Sequence, residues 1–152
     1  MRCALRLRAD ELNQFGEALG RELAAPVAPV APVAPPAPVV VGLSGELGSG
    51  KTTLVQAICR GLGARVRATS PTYALVHHYE DRAGRPVYHV DCYRLESPDE
   101  ARDLGFDDMV REGAIVLVEW PERAGAWVPP LDRQFQLSYG EAADIRVLEE
   151  VP

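Results

Sequence analysis

A phosphate-loop motif constrains the fold of this chain more than any other feature of its sequence. The stretch GELGSGKTT (45–53) contains the pattern G-x-x-x-x-G-K-[ST]. It follows VVVGLS (39–44), a continuous apolar run that is typical of a strand buried on both faces. It precedes LVQAICRGLG (54–63), which has helical spacing and a terminal glycine. Because this motif holds phosphate where a strand meets a helix, the sequence predicts the strand–loop–helix unit of a nucleotide-binding α/β domain.

The loop residues are predicted to form the nucleotide-binding site. Glycines let backbone N–H groups turn towards phosphate without interference from Cβ atoms, and the helix N-terminus adds partial positive charge. The predicted contacts come from Gly45, Glu46, Leu47, Gly48, Ser49, Gly50, Lys51, Thr52 and Thr53. Thr52 is the predicted hydroxyl ligand of Mg²⁺, and Thr53 is expected to reach an α-phosphate oxygen. The alternative is a glycine-rich turn without a ligand.

Lys51 is the only lysine among the 16 basic residues of the chain. A compact ammonium group on a flexible stem can enter a phosphate loop and contact β- and γ-phosphate oxygens, whereas a planar guanidinium is too wide. The single lysine therefore favours a working nucleotide site with Lys51 as a catalytic residue. It also excludes the N-K-x-D loop of guanine-specific GTPases, which needs a lysine of its own. ATP is the expected nucleotide.

Two strand-like segments each supply a carboxylate of the kind that phosphoryl transfer requires. Glu119 ends the apolar run AIVLVE, and Asp91 lies in YHVDCY, where a period of two puts His89 and Asp91 on one face. We assign Glu119 to Mg²⁺, directly or through water, and Asp91 to the attacking water or the metal's ligand shell. These two roles could be exchanged, and the alternative for each is a surface or salt-bridged acid. Trp120 is expected in the core or in the wall of the site.

The segment TSPTY (69–73) groups three hydroxyl side chains around Pro71. It suits a loop that responds to the γ-phosphate, with Thr72 as the catalytic hydroxyl that reports the nucleotide state. The alternative is an ordinary turn at the start of a strand. The three histidines of the chain lack the spacing of a zinc site.

The length of the chain and its other strand patterns indicate one α/β domain over residues 1–152. TYALVHHYE (72–80) and PVYHVDCYR (86–94) predict an antiparallel hairpin. AIVLVEW (114–120) predicts a second buried strand. A final hairpin is predicted from LDRQFQLSYG and ADIRVLE near the C-terminus.

Helix signals occur on both sides of the phosphate loop. The N-terminus predicts a short strand and then a helix with Asp10 as its N-cap. A further helix is predicted with Ser97 as its N-cap, Pro98 as its first residue and Glu100 completing a capping box, and it is predicted to stop at Gly105. Prolines cannot continue a helix or donate to a β-ladder. The repeated Ala-Pro-Val sequence at about 24–38 therefore predicts a polyproline-II insertion within the domain.

Bulk composition limits the functions that the chain can perform. The net charge of −6, without any basic stretch, argues against a surface that holds RNA by phosphate neutralisation. No apolar run approaches the ~20 residues of a membrane span, and the N-terminus lacks a secretion signal. The scattered Cys3, Cys59 and Cys92 predict reduced, buried thiols. We therefore expect a cytoplasmic protein that makes no membrane contact and reaches nucleic acid only indirectly.

Four motifs in order resemble the TsaE (YjeE) family, small bacterial ATPases of tRNA threonylcarbamoyladenosine biosynthesis. They are GELGSGKTT, SPTYALVHHYE, YHVDCYRLESPDEARDLGFDDM and EGAIVLVEWPER, within about residues 39–123. The resemblance implies a P-loop sheet with central parallel strands, antiparallel hairpin additions and helices on both faces. The positions that match the family's motifs are Lys51, Thr52, Thr72, Asp91 and Glu119. The proline tract departs from the family, because it lengthens the link between the first helix and the loop strand.

The resemblance also implies a function. The protein would bind a TsaB–TsaD heterodimer, which transfers threonylcarbamoyl to tRNA, and would hydrolyse ATP with Mg²⁺ to permit turnover of that transferase. One alternative is a small-molecule kinase, which would need an acceptor pocket and an arginine-rich lid. Another is a nucleotide-gated assembly module in which hydrolysis is incidental.

Overall fold

The structure is a computed structural model that describes residues 3–24, 35–66 and 75–152. Thr72 and most of the proline tract lie outside these ranges. The predictions made for the S-P-T turn and for a polyproline-II insertion therefore stay predictions.

The described residues form one mixed sheet of eight strands in the order β1-β8-β7-β2-β6-β5-β4-β3. The strands are β1 (Ala4–Leu7), β2 (Val39–Gly45), β3 (Arg65–Val66), β4 (Val76–Glu80), β5 (Pro86–Asp91), β6 (Ile115–Glu119), β7 (Arg133–Tyr139) and β8 (Arg146–Val151). The central strands β7, β2, β6 and β5 are parallel to one another. The β4–β5 and β7–β8 hairpins and the edge strands β1 and β3 add antiparallel pairs. The predicted topology is confirmed.

Helices cover both faces of the sheet. The α-helices are α1 (Ala9–Leu23), α2 (Lys51–Leu62) and α3 (Phe106–Arg111), and the longest 3₁₀ helix among the described residues spans Pro98–Leu104. Along β6, alternate residues face opposite cores: Leu117 packs with the apolar residues of α1 and α2, and Val118 packs with those of α3 and the 3₁₀ helix. The sheet is therefore buried on both sides at its centre, as its continuous apolar runs predicted.

Helices α1 and α2 pack with their backbones almost in contact. A Cβ atom placed on Gly20 would lie 2.2 Å from the carbonyl oxygen of Ile58, and one on Gly61 would lie 2.1 Å from that of Glu17. Neither distance is tolerable, so both positions require glycine. This backbone-to-backbone packing fixes α2, the helix that follows the phosphate loop, against α1.

Two cap predictions were wrong in detail. The N-cap of α1 is Arg8 rather than Asp10, and the backbone N–H of Arg8 donates to Glu11 at 2.8 Å. The chain needs this earlier start because β1 ends only two residues before α1 begins. Ser97 is the N-cap that the sequence predicted, but the following helix has the tighter 3₁₀ geometry and the carboxylate of Glu100 accepts from the N–H of Glu96 instead.

The thiols are only partly as expected. Cys92 is buried and Cys59 is half-buried, and burial raises the pKa of Cys59 to about 11 and that of Cys92 to about 12. Cys3 is exposed, because it precedes the edge strand β1, whose residues are themselves mostly exposed.

Candidate functional site

The phosphate loop runs from the end of β2 to the start of α2 at the carboxyl edge of the parallel strands. Gly50 precedes the first residue of α2 and has φ 107°, a conformation that favours glycine. Gly45 has φ 146°, and a Cβ atom there would lie 2.2 Å from the carbonyl oxygen of Leu137 on β7. The glycines of the motif are therefore required by the backbone of the loop and by its close contact with the neighbouring strand.

The Lys51 side chain folds back over the loop. Its Nζ donates to the carbonyl oxygens of Gly45 at 2.7 Å and Glu46 at 2.8 Å, and the Trp120 ring centroid lies 4.5 Å from Nζ. Lys51 is only 4% exposed, and this burial lowers its pKa. The negative charges of Glu119, Asp91 and Glu122 act in the other direction and raise it. The ammonium group is held inside the loop, next to acidic groups that favour its charged form.

The hydroxyl of Thr52, the second residue of α2, contacts the carboxylate of Glu119. Thr52 Oγ1 donates to Glu119 Oε1 at 3.0 Å, with Oε2 at 3.3 Å. The contact arises because β6 pairs in parallel with β2, so that Glu119 aligns with Leu43 near the end of the strand. The predicted metal ligands, Thr52 and Glu119, are thus brought together across 67 residues of sequence.

Glu119 is only 2% exposed, yet its pKa is lowered from the ordinary value of 4.5. Burial alone would raise its pKa, but the hydrogen bond and charge of His89, the Thr52 hydroxyl and the Lys51 ammonium together lower it below the ordinary value. A buried carboxylate that stays ionised in this way is suited to hold a cation.

Asp91 joins the same cleft from β5. It aligns with Glu119 in the parallel β5–β6 pair, and its Oδ1 accepts the backbone N–H of Tyr93 at 3.0 Å. Asp91, Glu119, Lys51 and Thr52 all line one cavity of about 200 Å³. Both acids predicted from sequence therefore lie at the phosphate loop rather than at a distant surface.

Two further side chains at the loop, His89 and Tyr139, had no assigned role in the sequence-based hypothesis, whereas Trp120 lines the cleft, one of the two positions expected for it. Trp120, with φ 56°, is the one non-glycine residue of positive φ among residues 3–24, 35–66 and 75–152, and its position directly after Glu119 was a visible signal. His89 forms a hydrogen bond with Glu119, whereas the sequence indicated only that His89 shares a strand face with Asp91. Tyr139 lies in the final hairpin and carried no signal, because β7–β2 pairing alone brings it to the loop.

Tyr139 braces the phosphate loop. Its hydroxyl donates to the carbonyl oxygen of Leu47 at 2.7 Å, and a Cβ atom on Gly48 would lie 2.7 Å from that hydroxyl. The guanidinium of Arg146 lies 4.6 Å from the centroid of the Tyr139 ring. The hydroxyl thus holds the middle of the loop from the side of β7.

Replacing Tyr139 by phenylalanine is expected to weaken binding of the predicted nucleotide, ATP, about fivefold, because one neutral hydrogen bond contributes about 1 kcal/mol. Titration calorimetry of both proteins measures the effect, and Tyr79→Phe, in the core around α2, serves as the control. Equal affinities of wild type and Tyr139→Phe would show that the bond does not support the loop.

Thr72, the predicted reporter of nucleotide state, lies outside the described ranges, so the structure gives no position for it. Within those ranges, no helix is both long and apolar enough to cross a membrane.

Comparison with known proteins places this architecture in a family. The family model for the threonylcarbamoyl adenosine biosynthesis protein TsaE matches residues 7–147. The tRNA threonylcarbamoyladenosine biosynthesis protein TsaE of Treponema pallidum is 33% identical over 85% of this chain and 84% of its own length. The protein of the same name from Haemophilus influenzae is 38% identical over 69% of this chain. The aligned part is 66% of the Haemophilus protein, just under two thirds.

A solved structure supports the fold independently. The crystal structure of YdiB from Bacillus subtilis superposes with a TM-score of 0.69 over 99% of this chain and 84% of that one, at 24% identity. The family model spans nearly all of the chain, including the phosphate loop and both strand-end acids. The chain therefore belongs to the TsaE family.

Proposed function

We propose that this protein is a Mg²⁺-dependent ATPase that serves tRNA threonylcarbamoyladenosine biosynthesis in the cytoplasm. The observation that carries the proposal is the Thr52–Glu119 hydrogen bond beside the lysine of a phosphate loop. A loop with no hydrolytic function has no need of an ionised, buried carboxylate at this position. Family membership supports the pathway, which is the one that the TsaE name describes.

The residues at the cleft fit Mg²⁺. Thr52 Oγ1 and Glu119 Oε1 are hard oxygen donors 3.0 Å apart on the edge of an open cavity, and Mg²⁺ prefers oxygen ligands from one or two protein groups together with phosphate and water. Thr52 and Glu119 would hold the ion. When bound, Mg²⁺ supplies positive charge that offsets the charge of the phosphoryl oxygens.

The chain's own groups account for the other requirements of hydrolysis. Lys51 exchanges its two neutral carbonyl acceptors for charged phosphate oxygens, so that donor and acceptor are both ionised in the new hydrogen bonds. Asp91 accepts the Tyr93 N–H at Oδ1. Its other carboxylate oxygen, Oδ2, is proposed to orient the attacking water. Thr72 is proposed to report whether the γ-phosphate is present.

The proposed partner is a TsaB–TsaD heterodimer, as the family resemblance implies. The chain carries a net charge of −6, so tRNA is proposed to be held by the partner rather than by this protein. ATP binding and hydrolysis would then change the affinity for the partner and allow the transferase to turn over.

A reconstitution tests this function. The full chain is mixed with TsaB–TsaD, and partner affinity is measured with ATP, with ADP and without nucleotide, while phosphate release is measured with and without the partner. We expect ATP to raise the partner affinity about tenfold, the factor that 1.4 kcal/mol of coupling free energy gives. We also expect the partner to raise the rate of phosphate release.

Two results would contradict the proposal. If nucleotide leaves partner affinity unchanged and the partner leaves hydrolysis unchanged, the assignment to this complex fails while the ATPase assignment stands. If labelled γ-phosphate appears on a small acceptor molecule instead of in water, the protein is a kinase.

A further inference from the structure

The imidazole of His89 is a buried group beside the proposed metal ligands that the function above does not use. His89 lies on β5 two residues before Asp91, is 7% exposed, and faces the same side of the sheet as the cleft. In the parallel β5–β6 pair His89 aligns with Leu117, two residues before the Asp91–Glu119 pair along both strands. Its Nε2 lies 2.5 Å from Glu119 Oε2.

The hydrogen bond joins an imidazole nitrogen, which can donate, to a carboxylate oxygen, which accepts when the group is ionised. In this pairing His89 Nε2 donates to Glu119 Oε2. The ring is held on its other side as well, because His77 on β4 pairs with His89 and stacks on it at a centroid distance of 5.6 Å.

The Glu119 carboxylate is thus contacted at both of its oxygens. His89 on β5 bonds to Oε2, and the Thr52 hydroxyl on α2 donates to Oε1. Contacts at both oxygens restrict rotation of the carboxylate about its last side-chain bond, and residues that orient a metal ligand in this way tune the affinity of the site for the metal.

We propose that His89 is a positioning residue for Mg²⁺, which fixes Glu119 so that Oε1 stays beside the Thr52 hydroxyl where both oxygens can bind one ion. The inference rests on the proposed Mg²⁺-dependent nucleotide site. It assigns no direct contact between His89 and nucleotide, metal or water. Its role is transmitted entirely through the carboxylate of Glu119.

Glutamine and asparagine at position 89 provide a matched pair of variants. The amide nitrogen of glutamine can occupy nearly the position of the imidazole Nε2, whereas the shorter side chain of asparagine cannot reach it. For the full chain, ATP affinity is measured by calorimetry at increasing Mg²⁺ and again in excess chelator. We expect His89→Asn to raise the half-saturating Mg²⁺ concentration about 10- to 100-fold. We expect His89→Gln to stay within about threefold of wild type, as a residue that preserves the bond should.

The affinity for ATP in chelator is the control for a merely structural effect. We expect it to be the same in wild type, His89→Gln and His89→Asn, because the phosphate loop itself is unchanged. The inference is overturned if His89→Asn has the Mg²⁺ requirement of wild type, if His89→Gln is as defective as His89→Asn, or if affinity in chelator falls as much as affinity in Mg²⁺. If wild type shows no Mg²⁺-dependent binding of ATP, the proposed function itself fails, and the inference with it.

A second measurement needs neither nucleotide nor metal. Long-range ¹H–¹⁵N spectra of the nucleotide-free protein distinguish a protonated from an unprotonated imidazole nitrogen. We expect the proton of the hydrogen bond to reside on His89 Nε2 and the resonance of this nitrogen to shift in Glu119→Gln. An unprotonated Nε2 would show that the bond does not have the direction on which the inference depends.

Discussion

Lys51→Ala is expected to reduce ATP affinity by at least about 100-fold, because two charge-assisted hydrogen bonds at about 1.5 kcal/mol or more each are lost from the complex. The free protein should not lose stability to the same extent. Burial lowers the pKa of Lys51, so holding its charge inside the loop already has a cost that alanine removes. Calorimetric titration with ATP and thermal unfolding, measured on the same samples, separate the two effects.

Lys51→Arg tests whether charge alone is sufficient. The Nζ position is enclosed by the carbonyl oxygens of Gly45 and Glu46 and by the Trp120 ring, with 4% of the residue exposed. A planar guanidinium needs more width than a single ammonium nitrogen. We therefore expect arginine to restore less than a tenth of the affinity lost in Lys51→Ala.

A second basic residue of the same helix provides the control. Arg60 lies in the last turn of α2, where it bonds to Glu17 and Asn13 of α1. Arg60→Ala removes a positive charge from the end of the helix that is remote from the loop, and ATP affinity should stay within about twofold. Phosphate release at the wild-type rate from Lys51→Ala in the presence of the partner would refute the ATPase assignment.

Glu119→Gln is expected to lower the rate of ATP hydrolysis about 100-fold or more, since loss of one charged metal ligand removes several kcal/mol of charge stabilisation. The amide keeps the volume and one oxygen acceptor for the Thr52 hydroxyl. The half-saturating Mg²⁺ concentration should rise in the same variant, and steady-state phosphate release over a range of Mg²⁺ measures both effects.

Asp91→Asn is the comparison that assigns the two acids. Thr52 donates to Glu119, whereas Asp91 accepts from a backbone N–H of its own segment. We therefore expect Asp91→Asn to slow hydrolysis at saturating Mg²⁺ with little change in the Mg²⁺ requirement. The opposite pattern, a raised Mg²⁺ requirement in Asp91→Asn alone, would exchange the roles.

The pH dependence of stability provides a further readout of the same residue. The folded-state pKa of Glu119 lies below its ordinary value of 4.5, so its ionisation stabilises the fold above that pH, and the contribution is lost as pH falls through the folded-state pKa. The difference in unfolding temperature between wild type and Glu119→Gln should therefore shrink as the pH falls below 4.5.

The centre of the fold could be predicted because its signals are local. The apolar run before Gly45 and the helical spacing after Lys51 each lie within one element, and the structure forms β2 and α2 there. Glu119 was a reasonable candidate for the same reason, since it ends a buried strand. Its contact with Thr52 then follows once β6 pairs in parallel with β2.

The other neighbours of the loop depend on pairings that no local pattern encodes. Tyr139 reaches Leu47 because β7 takes the place beside β2, opposite β6, and nothing in LDRQFQLSYG specifies that neighbour. His89 looks like any alternating strand residue until β5 and β6 are in register. The cap of α1 was misplaced by two residues because the length of β1, and not the preference of Asp10 for caps, determines where the chain turns.

The glycine contacts between α1 and α2 have a consequence for how this chain tolerates insertions. The contacts at Gly20 and Gly61 hold α1 against α2 through residues outside the connection from α1 to β2. Lengthening a flexible connection costs only about 0.6 kcal/mol for each doubling of its length, the entropy of closing a longer loop. The Ala-Pro-Val repeats of this connection therefore add length without replacing a residue of the α1–α2 contact.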